Sequence, residues 1–216
     1  MGSGCGEGGV MANCFEGIVD RFVLSSGMFE ARLREVRAGQ WGGPTPCAEW
    51  TVRQLVNHVT RGNLNYTALV QGGSAAEFLR LRDADALGSD PLAAYLRSVD
   101  RAVDAFTQSD ALCRIVDYPL GKVSGRQALA IRTTDTAIHT WDLARAIGSD
   151  DTLEPALIDW IGRNLQDIYG DLPETPLSSE STHRFFAAPT GTSGSAVSQQ
   201  DHLLRRMGRS PEKVPF

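Results

Sequence analysis

A chain of 216 residues, 42% hydrophobic and 22% charged, is long enough for one helical core and is expected to be a single domain with a tail. Its formal net charge of −5 leaves no basic excess to displace counterions from phosphates, so no nucleic acid and no anionic membrane surface is expected as a partner. No apolar run could span a bilayer, and the opening MGSGCGEGGVMANC lacks the basic start and apolar core of a signal peptide, so a cytoplasmic location is expected.

Residues 1–14 read as a flexible leader. From Phe15 to Arg37 the apolar residues Phe15, Ile18, Val19, Phe22, Val23, Phe29, Leu33 and Val36 recur mostly at three and four, which predicts an amphipathic helix. The Gly- and Pro-rich GQWGGPTPCAE is a loop. Thr51 then opens a second helix, forming a capping box with Gln54, and Gly72 and Gly73 end it. A short helix is expected around Ala75 to Leu81. Asp90-Pro91 places a capping carboxylate before a proline at the first helical position, so another long helix starts there.

CRIVDYPLGKV, Cys113 to Val123, is β-branched and broken by Pro and Gly, as in a loop or short extended piece. Ser124 can cap a fourth long helix that runs to about Ile147 and stops at Gly148. A fifth spans about Glu154 to Tyr169. Beyond Gly170 the chain turns rich in Ser, Thr, Pro and Gly, with one last short helix from Asp201 to Met207. The expected fold is all-α: a four-helix bundle over residues 15–170, with additional short helices, and an irregular tail over 171–216 packed on it.

Cys5, Cys14, Cys47 and Cys113 show no CxxC spacing and are expected to be free thiols. The chemistry concentrates in TTDTAIHTWDLARA, where Asp135 and His139 lie four apart on one face of the fourth long helix. Arg132 precedes them by a turn, and Asp142 follows. On the second helix His58 lies between Leu55 and Val59, near the apolar face, where an imidazole needs a hydrogen-bond partner or a metal. Two histidines and a carboxylate from facing helices would make a three-ligand set, the kind that leaves coordination positions open for water or substrate. The same residues also fit an ordinary ion pair and a satisfied histidine, and spacing alone does not bring two helices together.

PTPCAEWTVRQLVNHV (residues 44–59) and DTAIHTWDLARAIG (135–148) resemble the mycothiol-dependent maleylpyruvate isomerase-like proteins of the DinB-like superfamily, in an actinobacterial branch of metal-binding proteins. QQDHLLRRMGRSP, 199–211, is similar to that branch's usual ending. The resemblance implies a DinB-like four-helix bundle with one divalent metal held by His58, Asp135 and His139. Zinc is the expected metal, with nickel, iron and manganese left open. The isomerases carry Glu where this chain has the shorter Asp135. They also carry a C-terminal domain for which the stretch from Gly170 to Phe216 is too short, so maleylpyruvate isomerisation itself is not expected.

The expected function is that of a metal-dependent enzyme, transferase- or isomerase-like, that activates a low-molecular-weight thiol, with mycothiol the candidate cosubstrate, for addition or transfer to a small electrophilic substrate. Two alternatives stay open: a thiol-independent isomerase, hydrolase or cyclase, and a non-catalytic bundle that binds a ligand or partner. Tyr66, two turns past His58, and Arg132, which could bind a carboxylate, are the candidate catalytic residues. Asp142 could orient a ligand histidine or simply charge a helix face. Trp50, Trp141 and Cys47 are expected to pack, and His183 and His202 to be surface histidines. Phe185 and Phe186 are expected either to fold back over the pocket or to anchor the tail. Exposed apolar bundle faces leave a homodimer open.

Overall fold

The computed structural model describes residues 15–48, 50–170, 172 and 198–212. Among them are seven α-helices, α1 (Ile18–Arg34), α2 (Val52–Val70), α3 (Ala75–Leu81), α4 (Pro91–Phe106), α5 (Gly125–Ile147), α6 (Pro155–Tyr169) and α7 (Gln199–Arg206). A hairpin of β1 (Ile115–Tyr118) and β2 (Gly121–Ser124) precedes α5. The four long helices α1, α2, α4 and α5 pack on one another as the bundle, α6 lies on α5, and α7 lies on α6.

The local signals act as physical chemistry requires. Thr51 accepts from the Gln54 backbone N–H while the Gln54 side chain accepts from the Thr51 N–H, so two orphan donors at the start of α2 are satisfied reciprocally. Asp90 caps α4 ahead of Pro91, and Ser124 caps α5, which ends at Gly148. The first helix is shorter than its periodicity suggests, and a 3₁₀ turn at Ala38–Gln40 follows it. The segment left between loop and extended piece is a two-stranded antiparallel hairpin. Val116 pairs with Val123, and both are buried, which gives the strands one apolar face to lay against the bundle.

Helix α5 is the axis of the fold and is buried on nearly all sides. Four threonines on it lose water, and each recovers a bond from the carbonyl one turn back: Thr133 to Leu129 (2.8 Å), Thr134 to Ala130 (3.0 Å), Thr136 to Arg132 (3.0 Å) and Thr140 to Thr136 (2.8 Å). This is how a polar sequence becomes a core helix. Around it, Phe22 and Phe29 of α1 are fully buried, and Phe29 meets Tyr95 of α4 at 5.1 Å between ring centroids.

Two expectations need correction or restriction. Cys113 is disulfide-bonded, whereas Cys47 is free; sequence spacing carries no information on which Cα atoms approach closely enough to bridge. Cys5, Cys14, His183, Phe185 and Phe186, for which the sequence sets expectations, lie outside the described residues. His202 is exposed, as expected. Among the described residues no helix is long and apolar enough to cross a membrane.

Candidate metal centre

The site forms where α2 and α5 face each other. His58 comes from the middle of α2, and Asp135 and His139 from successive turns of α5. His58 Nε2 is 3.4 Å from Asp135 Oδ2, and His139 Nε2 is 3.5 Å from Asp135 Oδ1. The ligand atoms of all three residues lie within 4.8 Å of one another. The structure thus brings together the three residues named from the sequence.

The geometry suits a cation. Ligands about 2.0–2.1 Å from a tetrahedral zinc stand about 3.4 Å apart, close to the two edges seen here. Among the described residues, His58 Nε2 is a buried atom without a hydrogen-bond partner, and Asp135 Oδ2, 3.4 Å from it, is ion-paired with Arg132. A buried imidazole nitrogen left without a hydrogen bond beside a carboxylate is costly unless something joins them. Both observations fit a cation shared by His58, Asp135 and His139.

Charge within the group is tightly coupled. Burial drives His58 below the usual imidazole range against the pull of Asp135. Burial alone would raise the Asp135 carboxyl, but Arg132 and the two histidines hold it well below the usual carboxylate range. Burial would likewise lower His139, yet Asp135, Asp142 and Cys47 together push it well above its ordinary value.

Asp135 and His139 are each braced from behind. Arg132 is buried, with Nη2 2.7 Å from Asp135 Oδ2 and hydrogen bonds from Nε (3.1 Å) and Nη2 (2.8 Å) to Thr136 Oγ1. Room for its guanidinium comes from Gly62 of α2, where a Cβ would stand 1.9 Å from Arg132 Nη1. Gly62→Ala is therefore expected to displace Arg132 and destabilise the protein by about 1–3 kcal/mol, read as a lower urea midpoint. A midpoint equal to the parent's would show that the guanidinium relocates freely.

Behind His139, Nδ1 lies 2.8 Å from Asp142 Oδ2. That bond turns Nε2 toward Asp135, the usual way a carboxylate fixes the tautomer of a ligating histidine. Asp142 in turn accepts from Arg209 Nε at Oδ1 (2.9 Å) and from Nη2 at Oδ2 (2.6 Å), and from Cys47 Sγ at 3.3 Å. Burial would raise the Asp142 carboxyl, but the Arg209 charge and the bonds from His139 and Arg209 hold it well below the usual range.

Cys47, His139 and Asp142 form a second group close enough to hold a metal. That group, however, already has its cation. The Arg209 guanidinium is 2.6 Å from Asp142 and 3.4 Å from Cys47 Sγ, and burial there does not cost it its charge. Asp135 of the first group also has a guanidinium, Arg132, but that group leaves a buried ligand-type atom, His58 Nε2, without a hydrogen-bond partner and is the better candidate.

The loop before α2 completes the site. Thr45 Oγ1 donates toward the carbonyls of Cys47 (3.1 Å) and Trp50 (2.9 Å), and Pro44 bridges to Thr51, which ties Pro44, Thr45, Cys47 and Trp50 to the start of α2. Trp50, expected only to pack, lies against both histidines, with ring centroids 4.6 Å from His58 and 5.7 Å from His139. Trp141 does pack, buried beneath Arg145. Tyr66 is buried and donates its hydroxyl to Tyr118 Oη at 3.1 Å; burial pushes its phenol well above the usual value, and its ring lies 6.0 Å from the Arg132 guanidinium. Sequence reasoning gave Arg209 no role; it lies in the QQDHLLRRMGRSP stretch, 199–211, named only for its resemblance to the branch's usual ending.

A helical bundle with a His, Asp, His cluster between its second and fifth helices has the fold of the DinB-like, maleylpyruvate isomerase type. The chain belongs to the family described as "Mycothiol maleylpyruvate isomerase N-terminal domain", whose model matches residues 25–144. The crystal structure of the mycothiol-dependent maleylpyruvate isomerase superposes with a TM-score of 0.55 at 18% identity, over 70% of this chain and 69% of that one, a likeness of fold. Two proteins of Mycobacterium tuberculosis, from strains CDC 1551 / Oshkosh and H37Rv and both named as uncharacterized, are 37% identical to it over 129 residues. The match spans 60% of this chain and 66% of each relative's length.

Proposed function

We propose that this protein is a metal-dependent enzyme in which His58, Asp135 and His139 hold one divalent cation, zinc in the first instance, and present a low-molecular-weight thiol to a small electrophilic substrate. The observation that carries the reading is the buried His58 Nε2, left without a hydrogen-bond partner 3.4 Å from Asp135 Oδ2 and beside His139. A bound cation with an open position would lower the pKa of a thiol and hold it as the nucleophilic thiolate. The thiol, with mycothiol the candidate, is suggested by the family to which the chain belongs.

The chain's own residues supply the rest. Asp142 keeps a proton on His139 Nδ1 so that Nε2 can ligate. Arg132 acts through Asp135, whose oxygen it holds, and is a positioning residue rather than one that touches substrate. Tyr66 supports it by packing against the guanidinium. Trp50 covers the two imidazoles and keeps water from that side of the site.

The test is elemental analysis of protein purified without a metal-affinity tag, beside His139→Ala. Near-stoichiometric metal in the parent, lost in the variant, is expected. The loaded parent should then consume small electrophiles only when a thiol such as mycothiol is supplied. Turnover without thiol would replace thiol transfer by a metal-dependent hydrolase, isomerase or cyclase reaction. A parent that carries no metal and takes none up on titration would end the reading.

A further inference from the structure

The C-terminal segment takes part in the site in a way the ligand set does not reveal. Helix α7 is capped by Ser198 and buries Leu203 and Leu204, followed by Met207. At its end Gly208 adopts φ 74°, a left-handed conformation that suits glycine and costs other residues. The Arg209 N–H then bonds back to the Leu204 carbonyl at 2.8 Å, which turns the next side chain inward instead of out to solvent. Arg209 crosses to α5 and grips both oxygens of Asp142, while Nη1 donates to the Met207 carbonyl at 3.0 Å. A guanidinium that is only 8% exposed, on a chain segment remote in sequence, is thereby fixed on the carboxylate that holds His139.

We infer that Arg209 is a positioning residue of the metal centre: docking of the C-terminal segment, through Asp142, sets the orientation of His139. The inference rests on His58, Asp135 and His139 being the ligands. The chain of contacts runs from Arg209 to Asp142 to His139 Nδ1, and the opposite ring nitrogen faces Asp135. Two oxygens gripped by a rigid fork leave Asp142 no rotation, so the His139 ring has none either. A Lys in the same place would supply charge without the fork. The G-R pair thus has a structural reading: Gly208 for the turn, Arg209 for the grip.

The test uses full-length parent, Arg209→Met and Arg209→Lys, each stripped with chelator and titrated with zinc against a chromogenic competitor and with cobalt in the visible range. Relative to the parent, Arg209→Met is expected to weaken zinc about 10–100-fold, the usual effect of losing a partner of a ligating histidine, and to change the cobalt spectrum. Arg209→Lys should recover part of the affinity but not the parent spectrum. Should Arg209→Met fail to fold, Arg209→Lys decides alone: weaker zinc and an altered spectrum support the inference. Parent-like affinity and spectrum in a folded variant would overturn it and leave Arg209 a purely structural latch. A parent that binds neither metal would instead refute the ligand set.

Discussion

Asp142→Leu is expected to cost about 3–5 kcal/mol of stability, because it breaks a buried ion pair on one side only. Asp142 is fully buried and takes bonds from Arg209, His139 and Cys47 at once. Without it the Arg209 guanidinium keeps the Met207 carbonyl but has lost the carboxylate that balanced its charge, and His139 Nδ1 has lost its acceptor. Chemical denaturation followed by circular dichroism reads the loss directly; a change under about 1 kcal/mol would mean that the interior there is wet enough to solvate the cation. The double variant Asp142→Leu, Arg209→Met separates two roles. With both charges replaced by apolar groups, much of the stability should return. Metal affinity should not, since His139 still lacks its acceptor. Recovery of both would show that His139 needs no carboxylate to find its orientation.

How much of this was legible in the sequence follows from the range of each interaction. Caps act over three residues, so Thr51 with Gln54, Asp90 with Pro91, and Ser124 could be read directly, and all three act as read. The face shared by Asp135 and His139 is a matter of helical spacing and was equally plain. That His58 meets them depends on how α2 and α5 pack, which spacing does not encode; the resemblance to a known family supplied it. Trp50 was read as a packing residue because a loop gives no periodicity from which to infer direction. The hairpin was ambiguous because its two strands are each four residues long. Arg209 was missed for a different reason. A basic residue in a polar tail is ordinarily solvated, and nothing local distinguishes the one whose partner lies on a buried helix 67 residues earlier.

Arg132→Met is expected to separate the stability of the metal-free protein from its response to metal. In the metal-free protein Arg132 is the cation for Asp135, and it is almost completely buried. Its loss leaves a buried carboxylate facing two imidazoles, and should lower stability by about 3–5 kcal/mol. Methionine roughly conserves the length of the stem and fits opposite Gly62, so a cavity contributes little. Thr136 Oγ1 still donates to the Arg132-position carbonyl, so that hydroxyl is not orphaned. Binding of a divalent cation at His58, Asp135 and His139 changes the balance, because the parent must then hold two cations on one carboxylate in a poorly screened interior, a repulsion worth a few kcal/mol. The variant escapes that repulsion. Added zinc should therefore raise the melting temperature of Arg132→Met by more than it raises the parent's, and chelator should reverse the gain. Equal shifts in the two proteins would mean that Arg132 and the cation do not share Asp135, and the carboxylate would have to be struck from the ligand set.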